Sequence, residues 1–330
     1  MNRIQAGSVS AGLVCVLLLA GYRDAVAQAA SPKPVGPRDV TETLAHGGLE
    51  RSYHIHLPAG FRKGQNAALV LALHGGGGNG RQFDQGSTHG SLSAAADRRG
   101  LVIVFPDDID KHWCDGRSEP RGAKGPCDDV GFLSKLIDRM VAAYGVDPAR
   151  VYVTGMSNGG FMSVRLAVDL SDKVTAIAAV AAQMAKGMEG KRPRRPVSVM
   201  IVHGTADPIV PFGAGQVRLF RFGRSRGEVL STLATVEHFR RYDGCSRAAE
   251  TTRLPDKDPD DGTRVEVQRY TECKEGTEVT LVKVVGGGHT WPGGSQYLKR
   301  WLVGSVSRDI SASEIILDFF LRHSRAGHGG

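Results

Sequence analysis

Ser157 stands inside "VYVTGMSNGGFM", residues 151–162, with Gly155 before it and Gly159 and Gly160 after it. Glycine in a helix interior costs about 1 kcal/mol relative to alanine, so this density of glycines needs a reason. A sharp strand-to-helix turn supplies one, because it holds a serine in a strained backbone geometry and exposes its hydroxyl. "RVYVTG" reads as a short buried strand and "GGFMSVRLAVDL" as a helix with apolar residues at helical spacing, the context such a turn requires. A serine hydroxyl becomes a nucleophile only when a base takes its proton, and the base needs a carboxylate to orient it. Asp207 in "HGTADPIVP" and His289 in "GGGHTWPGG" follow in the chain order serine, acid, histidine, each just past an apolar strand. The pattern predicts attack by Ser157, with His289 as base and Asp207 as its orienting acid.

Other residues compete for these roles. His203 precedes Asp207 and ends its strand as a buried structural histidine would. Asp243 and Glu237 lie in or near a predicted helix and are poorly placed to reach the serine. The charge that develops on a carbonyl oxygen needs preorganised N–H donors. The backbone N–H of Asn158, directly after the serine, is one; the other is expected from "HGGGGN", at Gly76, where missing side chains let backbone approach a ligand. That glycine run lacks the Lys-Ser/Thr ending of a phosphate loop. His54 and His56 share one strand face, and a solvated face explains them better than a metal pair. No CxxC or Cys/His spacing suggests zinc, so neither metal nor cofactor is expected.

For these groups to meet, the chain must bring several strand ends together. "AALVLALHG", "LVIVFP", "RVYVTG", "VTAIAAVAA", "VSVMIVHG" and "EVTLVKVV" read as strands, most of them continuous apolar runs. "GSLSAAADRRG" and "VGFLSKLIDRMVAAY" read as helices; in the second, Leu133, Leu136, Ile137, Met140, Val141 and Tyr144 recur at helical spacing. Ser311 and Glu314 have the spacing of a capping box at the last helix. "VTETLAHGGLERSYHIHLP" reads as a hairpin turning at Gly47–Gly48. Apolar strands alternating with helices predict an α/β fold, a mostly parallel sheet covered on both faces. Ligand-binding groups of such sheets collect beyond the carboxyl ends of the strands. Five predicted strand ends lead here into glycines or polar groups: "HGGGGN", "PDDIDKHWCDGR", "GMSNGG", "HGTADPIVP" and "GGGHTWPGG".

The 330 residues suffice for one large α/β domain, and no stretch reaches the roughly 18 apolar residues of a membrane span. Arg3, the apolar "AGLVCVLLLAG" and the small residues of "AVAQA" predict a secretory signal peptide over residues 1–27. A Pro-rich leader at 28–38, a catalytic domain at 39–324 and a disordered tail at 325–330 complete the expected organisation. Losing Arg3, Arg23 and Asp24 with the signal lowers the net charge from +8 to +7. The basic excess clusters at 186–195 and 218–226; these runs read as solvated faces, with adsorption to an anionic matrix as the rival. No nucleic-acid-binding motif accompanies them. Export leaves Cys114, Cys127, Cys245 and Cys273, an even number for an oxidising compartment. Cys114–Cys127 and Cys245–Cys273 are the favoured pairs, since each brackets one loop or hairpin.

Together, "LALHGGGGN", "FPDDIDKHWCDGR", "DDVGFLSKLID", "RVYVTGMSNGGFM", "HGTADPIVP" and "GGGHTWPGG" resemble the secreted polyhydroxybutyrate depolymerase/feruloyl esterase-like family of α/β-hydrolases. The resemblance runs from about residue 40 to 323. It implies the α/β-hydrolase fold and a serine carboxylesterase with Ser157, Asp207 and His289 as triad. It further implies that the Trp291 and Trp113 loops edge the cleft, with His74 beside the substrate. Cys114 departs from the family pattern, where asparagine would stand. Family members cleave aliphatic polyesters, feruloyl esters and acetylated sugars, so the resemblance leaves the substrate open among small esters, oligomeric polyesters and plant-polymer esters. With no binding module recognisable in the sequence, soluble esters or short oligomers are expected to be preferred over crystalline polyester. A catalytically idle binding protein and a secreted peptidase are the alternatives from other classes.

Overall fold

The computed structural model describes residue 36 and residues 38–117, 127–219, 223–246 and 249–325. The expected signal peptide, nearly all of the leader and residues 326–330 lie outside the described residues.

Two long strands open the fold, β1 (Arg38–His46) and β2 (Leu49–Leu57), joined at Gly47–Gly48, whose φ values of 60° and 78° give the tight hairpin turn. Next come β3 (Leu69–Leu73), the short turn α1 (Gly80–Gln82), helix α2 (Ser91–Arg99) and β4 (Val102–Pro106). Helix α3 (Asp129–Tyr144) starts where the Asp128 side chain accepts from Gly131 N–H and stops at Gly145, in the left-handed region. Then follow β5 (Val151–Met156), α4 (Asn158–Asp169), β6 (Ala176–Val180) and β7 (Ser198–Gly204). A two-stranded ribbon, β8 (Gly215–Gln216) with β9 (Glu228–Val229), precedes α5 (Thr232–Tyr242). The chain closes with β10 (Glu250–Arg253), β11 (Arg264–Tyr270), β12 (Val279–Val285), the single turn α6 (Arg300–Val303) and α7 (Ala312–Leu321).

Ten strands form one sheet in the order β1-β2-β4-β3-β5-β6-β7-β12-β11-β10. The six from β4 to β12 run parallel, and an antiparallel pair flanks them at each edge. Alternation along the strands splits the core in two. Leu69, Leu71 and Leu73 of β3 face Phe132 and Leu136 of α3, Phe161 of α4 and Phe239 of α5. Val70 and Ala72 face the other way, with Leu92 of α2 and Phe319 and Phe320 of α7. The parallel strands are buried on both faces, which is why they read as unbroken apolar runs.

Two details depart from the sequence reading. Ser311 Oγ accepts the N–H of Glu314, but the Glu314 carboxylate pairs with Arg98 and Arg99 instead of turning back to Ser311, so the capping box is half made. Arg325, expected in the tail, is held against the body through its N–H to Ala149 O at 3.0 Å. The basic run at 186–195 is a largely solvated face, as expected, with Lys186, Arg194 and Arg195 facing Glu189, Asp172 and Glu275. No described helix is long and apolar enough to cross a membrane. Two disulfides are present, Cys114–Cys127 and Cys245–Cys273.

Candidate active site

Ser157 sits between β5 and α4 at φ 56°, ψ −119°, a backbone conformation that β-carbon crowding makes expensive. Its N–H is tied to Val180 O at 2.9 Å, and its carbonyl receives Phe161 N–H as the helix begins. Gly159 is required by contact rather than by φ. A Cβ there would lie 2.0 Å from Leu73 O and 2.6 Å from His74 O, both backbone atoms of the neighbouring strand end. The helix therefore packs onto the strand end through a bare backbone face.

Beyond β7, Asp207 is completely enclosed. Its Oδ1 accepts the N–H groups of Ile209 and Val210, each at 2.8 Å. Its Oδ2 accepts from His289 Nδ1 at 2.7 Å and faces His203 Nε2 at 3.4 Å. A carboxylate only accepts, so His289 carries its proton on Nδ1. Burial pushes the Asp207 carboxyl up, but the charge of His289 and hydrogen bonds from both histidines outweigh it and hold the group well below the usual carboxylate range. His203, whose ring also reaches Thr232 Oγ1 at 2.7 Å and Val210 O at 3.2 Å, is wholly interior. Glu237 pairs with Arg240 and Arg241 along α5, and Asp243 ends that helix.

His289 is held by its backbone from one segment, residues 296–304. Its N–H donates to Val303 O at 2.6 Å, and its carbonyl accepts from the Tyr297 hydroxyl at 2.8 Å. Burial of that hydroxyl, reinforced by the nearby Asp207 charge, raises the phenol's pKa and keeps it protonated as a donor.

On the other side stands the "HGGGG" loop after β3. A Cβ on Gly75 would lie 3.7 Å from Ser157 Cβ, and one on Gly76 only 2.8 Å from His112 Nδ1 and 3.7 Å from Asn158 Cβ. The Gly75 carbonyl accepts from His74 Nδ1 at 2.8 Å and from Gly78 N–H at 3.1 Å. In a trans peptide the carbonyl and the following N–H point in opposite directions, so pinning Gly75 O also fixes the aim of Gly76 N–H. Burial keeps both His74 and His112 less basic than usual. His74 is 1% exposed, so it acts on the loop and offers no surface to a ligand. Asp108, 3.8 Å from His74 Nε2, is raised to about 7 by burial and by the charge of Asp129.

The tryptophans differ from expectation. Trp113 and Trp291 are 0% and 1% exposed, so both side chains are interior and neither offers an edge to a ligand. Trp113 donates its indole N–H to His74 O at 3.0 Å, and Trp291 donates to Ser313 Oγ at 3.1 Å while meeting Phe83 edge-on. The sequence reading assigns Asn158 only a backbone role, yet its side chain is a strut. It accepts Trp113 N–H at 2.7 Å and donates to Trp113 O at 2.9 Å and to Asp115 Oδ2 at 2.6 Å. Asp115 is buried against Arg117. The ends of β3, β4 and β5 are thereby cross-braced. Cys114, in the same loop, is tied to Cys127. His54 and His56 are taken up by Asp107 and by Asp39 and Asp97.

Comparison with known proteins bears on this geometry. The family described as "Esterase PHB depolymerase" matches residues 51–214. "Putative esterase NocK" of Nocardia uniformis subsp. tsuyamanensis is 31% identical over 280 residues, 83% of this chain and 80% of that one. The chain belongs to the polyhydroxybutyrate depolymerase/feruloyl esterase-like hydrolase family. It is a serine-type carboxylic ester hydrolase. Feruloyl esterase B of Piromyces equi is 29% identical over 252 residues, 72% of this esterase but only 42% of that protein. Among solved structures, an acetyl xylan esterase from Aspergillus awamori superposes with a TM-score of 0.52 at 16% identity, over 76% of this chain and 94% of that one. That likeness, together with the mostly parallel sheet, establishes the α/β-hydrolase fold.

Proposed function

We propose that Ser157, His289 and Asp207 are the nucleophile, base and orienting acid of this ester hydrolase. One observation carries the reading: the 2.7 Å bond from His289 Nδ1 to a buried, ionised Asp207, on a sheet in which β5, two strands from β7, ends in a strained serine. With Nδ1 protonated by its bond to Asp207, Nε2 is the nitrogen free to act as base. It takes the Ser157 proton as Oγ attacks the ester carbonyl carbon, and the carbonyl electron pair moves onto oxygen. The N–H groups of Asn158 and Gly76 stabilise that oxyanion. Asn158 is the first residue of its helix, where N–H groups lack an intrahelical acceptor, and Gly76 N–H has no acceptor among the described residues. The intermediate collapses, the carbon–oxygen bond to the alcohol breaks, and the imidazolium returns its proton to the departing alkoxide. Water then repeats the sequence on the acyl-enzyme and releases the acid.

The substrates are polyhydroxyalkanoate oligomers or feruloyl- and acetyl-type esters, classes suggested by the names of the family and its relatives. The enzyme works outside the cytoplasm: the N-terminal segment has the make-up of a signal peptide, and two disulfides suit an oxidising compartment. Hydrolysis of p-nitrophenyl acetate and butyrate tests the site directly. Ser157→Ala is expected to lower kcat by at least about 10⁴-fold, since a triad fails as a unit. Wild-type kcat in that variant would dismiss the assignment.

A further inference from the structure

Six large apolar side chains are exposed among the described residues, and three of them, Tyr297, Leu298 and Trp301, lie within one five-residue stretch. Trp301 is 76% exposed, in contrast to the two interior tryptophans. A contiguous apolar patch of this kind on a protein surface is often functional. The stretch is also firmly built. Ser295 Oγ donates to Gly86 O at 2.5 Å. Gln296 Nε2 donates to Leu298 O at 2.8 Å and Gly304 O at 3.0 Å, while its Oε1 accepts Val306 N–H at 3.1 Å. Leu298 and Trp301 are held out into solvent by a braced backbone, and the half-exposed Tyr297 ring is tied down through its hydroxyl to His289 O, so little ordering entropy remains to be lost when something covers them.

The bracing extends to the base. Tyr297 and Val303 bracket the stretch and bind the carbonyl and the N–H of His289. We propose that Tyr297, Leu298 and Trp301 form a lip that binds the apolar part of the ester on the His289 side of Ser157. The proposal rests on the reading of His289 as base and names the residues that select the substrate there. Size argues for a small ligand over a second copy of the chain. At 150–250 Å² per aromatic side chain, the exposed area of the three residues is roughly 350 Å². A stable dimer needs about 800 Å² from each partner, whereas this area suits an alkyl chain or one ring.

The test is acyl-chain selectivity, measured with p-nitrophenyl acetate, butyrate and hexanoate. A fully buried methylene is worth about fourfold in affinity, and one covered from a single side about twofold. The hexanoate-to-acetate ratio of kcat/KM is expected to fall about tenfold in Trp301→Ala and about threefold in Leu298→Ala, with the loss in KM for hexanoate. Both side chains are exposed, so the variants keep the fold, which thermal melting checks. Ratios within twofold of wild type in both variants would overturn the lip, including the case where Trp301→Ala dissociates a dimer without altering selectivity. That failure is distinct from a wild-type protein that hydrolyses none of the three esters, which would overturn the reading of the site itself.

Discussion

Gly159→Ala isolates the contact between the serine turn and the neighbouring strand. The added methyl would stand 2.0 Å from Leu73 O, 2.5 Å from Leu73 C and 2.6 Å from His74 O. All three are backbone atoms at the end of a central strand, so no side chain can swing aside. Relief requires α4 or the β3 end to retreat by about 1.5 Å, to the ordinary contact distance of about 3.5 Å. Overpacking of this kind costs about 3 kcal/mol. At about 2 °C per kcal/mol for a domain of this size, the melting temperature should drop by about 6 °C. Activity should suffer more than stability, because the same retreat separates Ser157 from Gly76, and a 1 Å misplacement of reacting groups costs about 10²-fold. Gly86→Ala is the matched control: a Cβ there meets nothing within 4 Å, so its effect should stay within about 0.5 kcal/mol. Thermal melts and p-nitrophenyl butyrate kinetics on the two variants decide the point. If Gly159→Ala melted and turned over like Gly86→Ala, the close packing of helix on strand would not be what positions the serine.

Asp207→Asn must turn an amide N–H toward one of the donors that now point at the carboxylate, namely Ile209 N–H, Val210 N–H or His289 Nδ1; kcat should fall by about 10³–10⁴-fold, and a loss under tenfold would refute an orienting role. Asp243 is 0% exposed, and burial raises it to about 7 from an ordinary value of 3.8. Between pH 4 and 7 the unfolded chain has already released a proton that the folded chain keeps, so this group lowers stability as pH rises through that window, by on the order of 4 kcal/mol in full. Asp243→Asn should therefore be more stable than wild type at pH 8 and nearly equal to it at pH 4, and urea titrations giving the same difference at both pH values would refute this.

The sequence carries the parallel strands and their helices because full burial on both faces leaves unbroken apolar runs. It carries the strand ends because glycines and polar groups interrupt those runs abruptly. The hairpin at Gly47–Gly48 and the two cysteine pairs are likewise local in origin. What escapes it depends on partners far away in the chain. An indole offers an apolar face and one N–H, and nothing local to Trp113 or Trp291 tells whether that N–H meets substrate or, as here, His74 O and Ser313 Oγ. The Asn158 strut needs Asp115, 43 residues away, and so leaves no spacing to read. Tyr297 lies in a stretch with no helical or strand period, so its bond to His289 is silent in one dimension. β10 and much of β11 are polar enough to pass for loop, since an edge strand packs little against the core.

The position of β12 has a consequence for synthesis. It pairs in parallel with β7 through partners such as Val199 and Val279, Leu281 and Ile201. During translation, β7 is therefore finished long before the strand that covers its outer edge. Until then "SVMIVHG" is an uncapped apolar sheet margin, the sort that recruits other chains, and the buried carboxyl of Asp207 waits without its histidine. The ribosome must deliver nearly the whole polypeptide before Asp207 and His289 can meet. On the proposed triad, a nascent chain of this esterase is thus both inert and vulnerable, and the two conditions end in the same event, the docking of the penultimate tenth of the sequence.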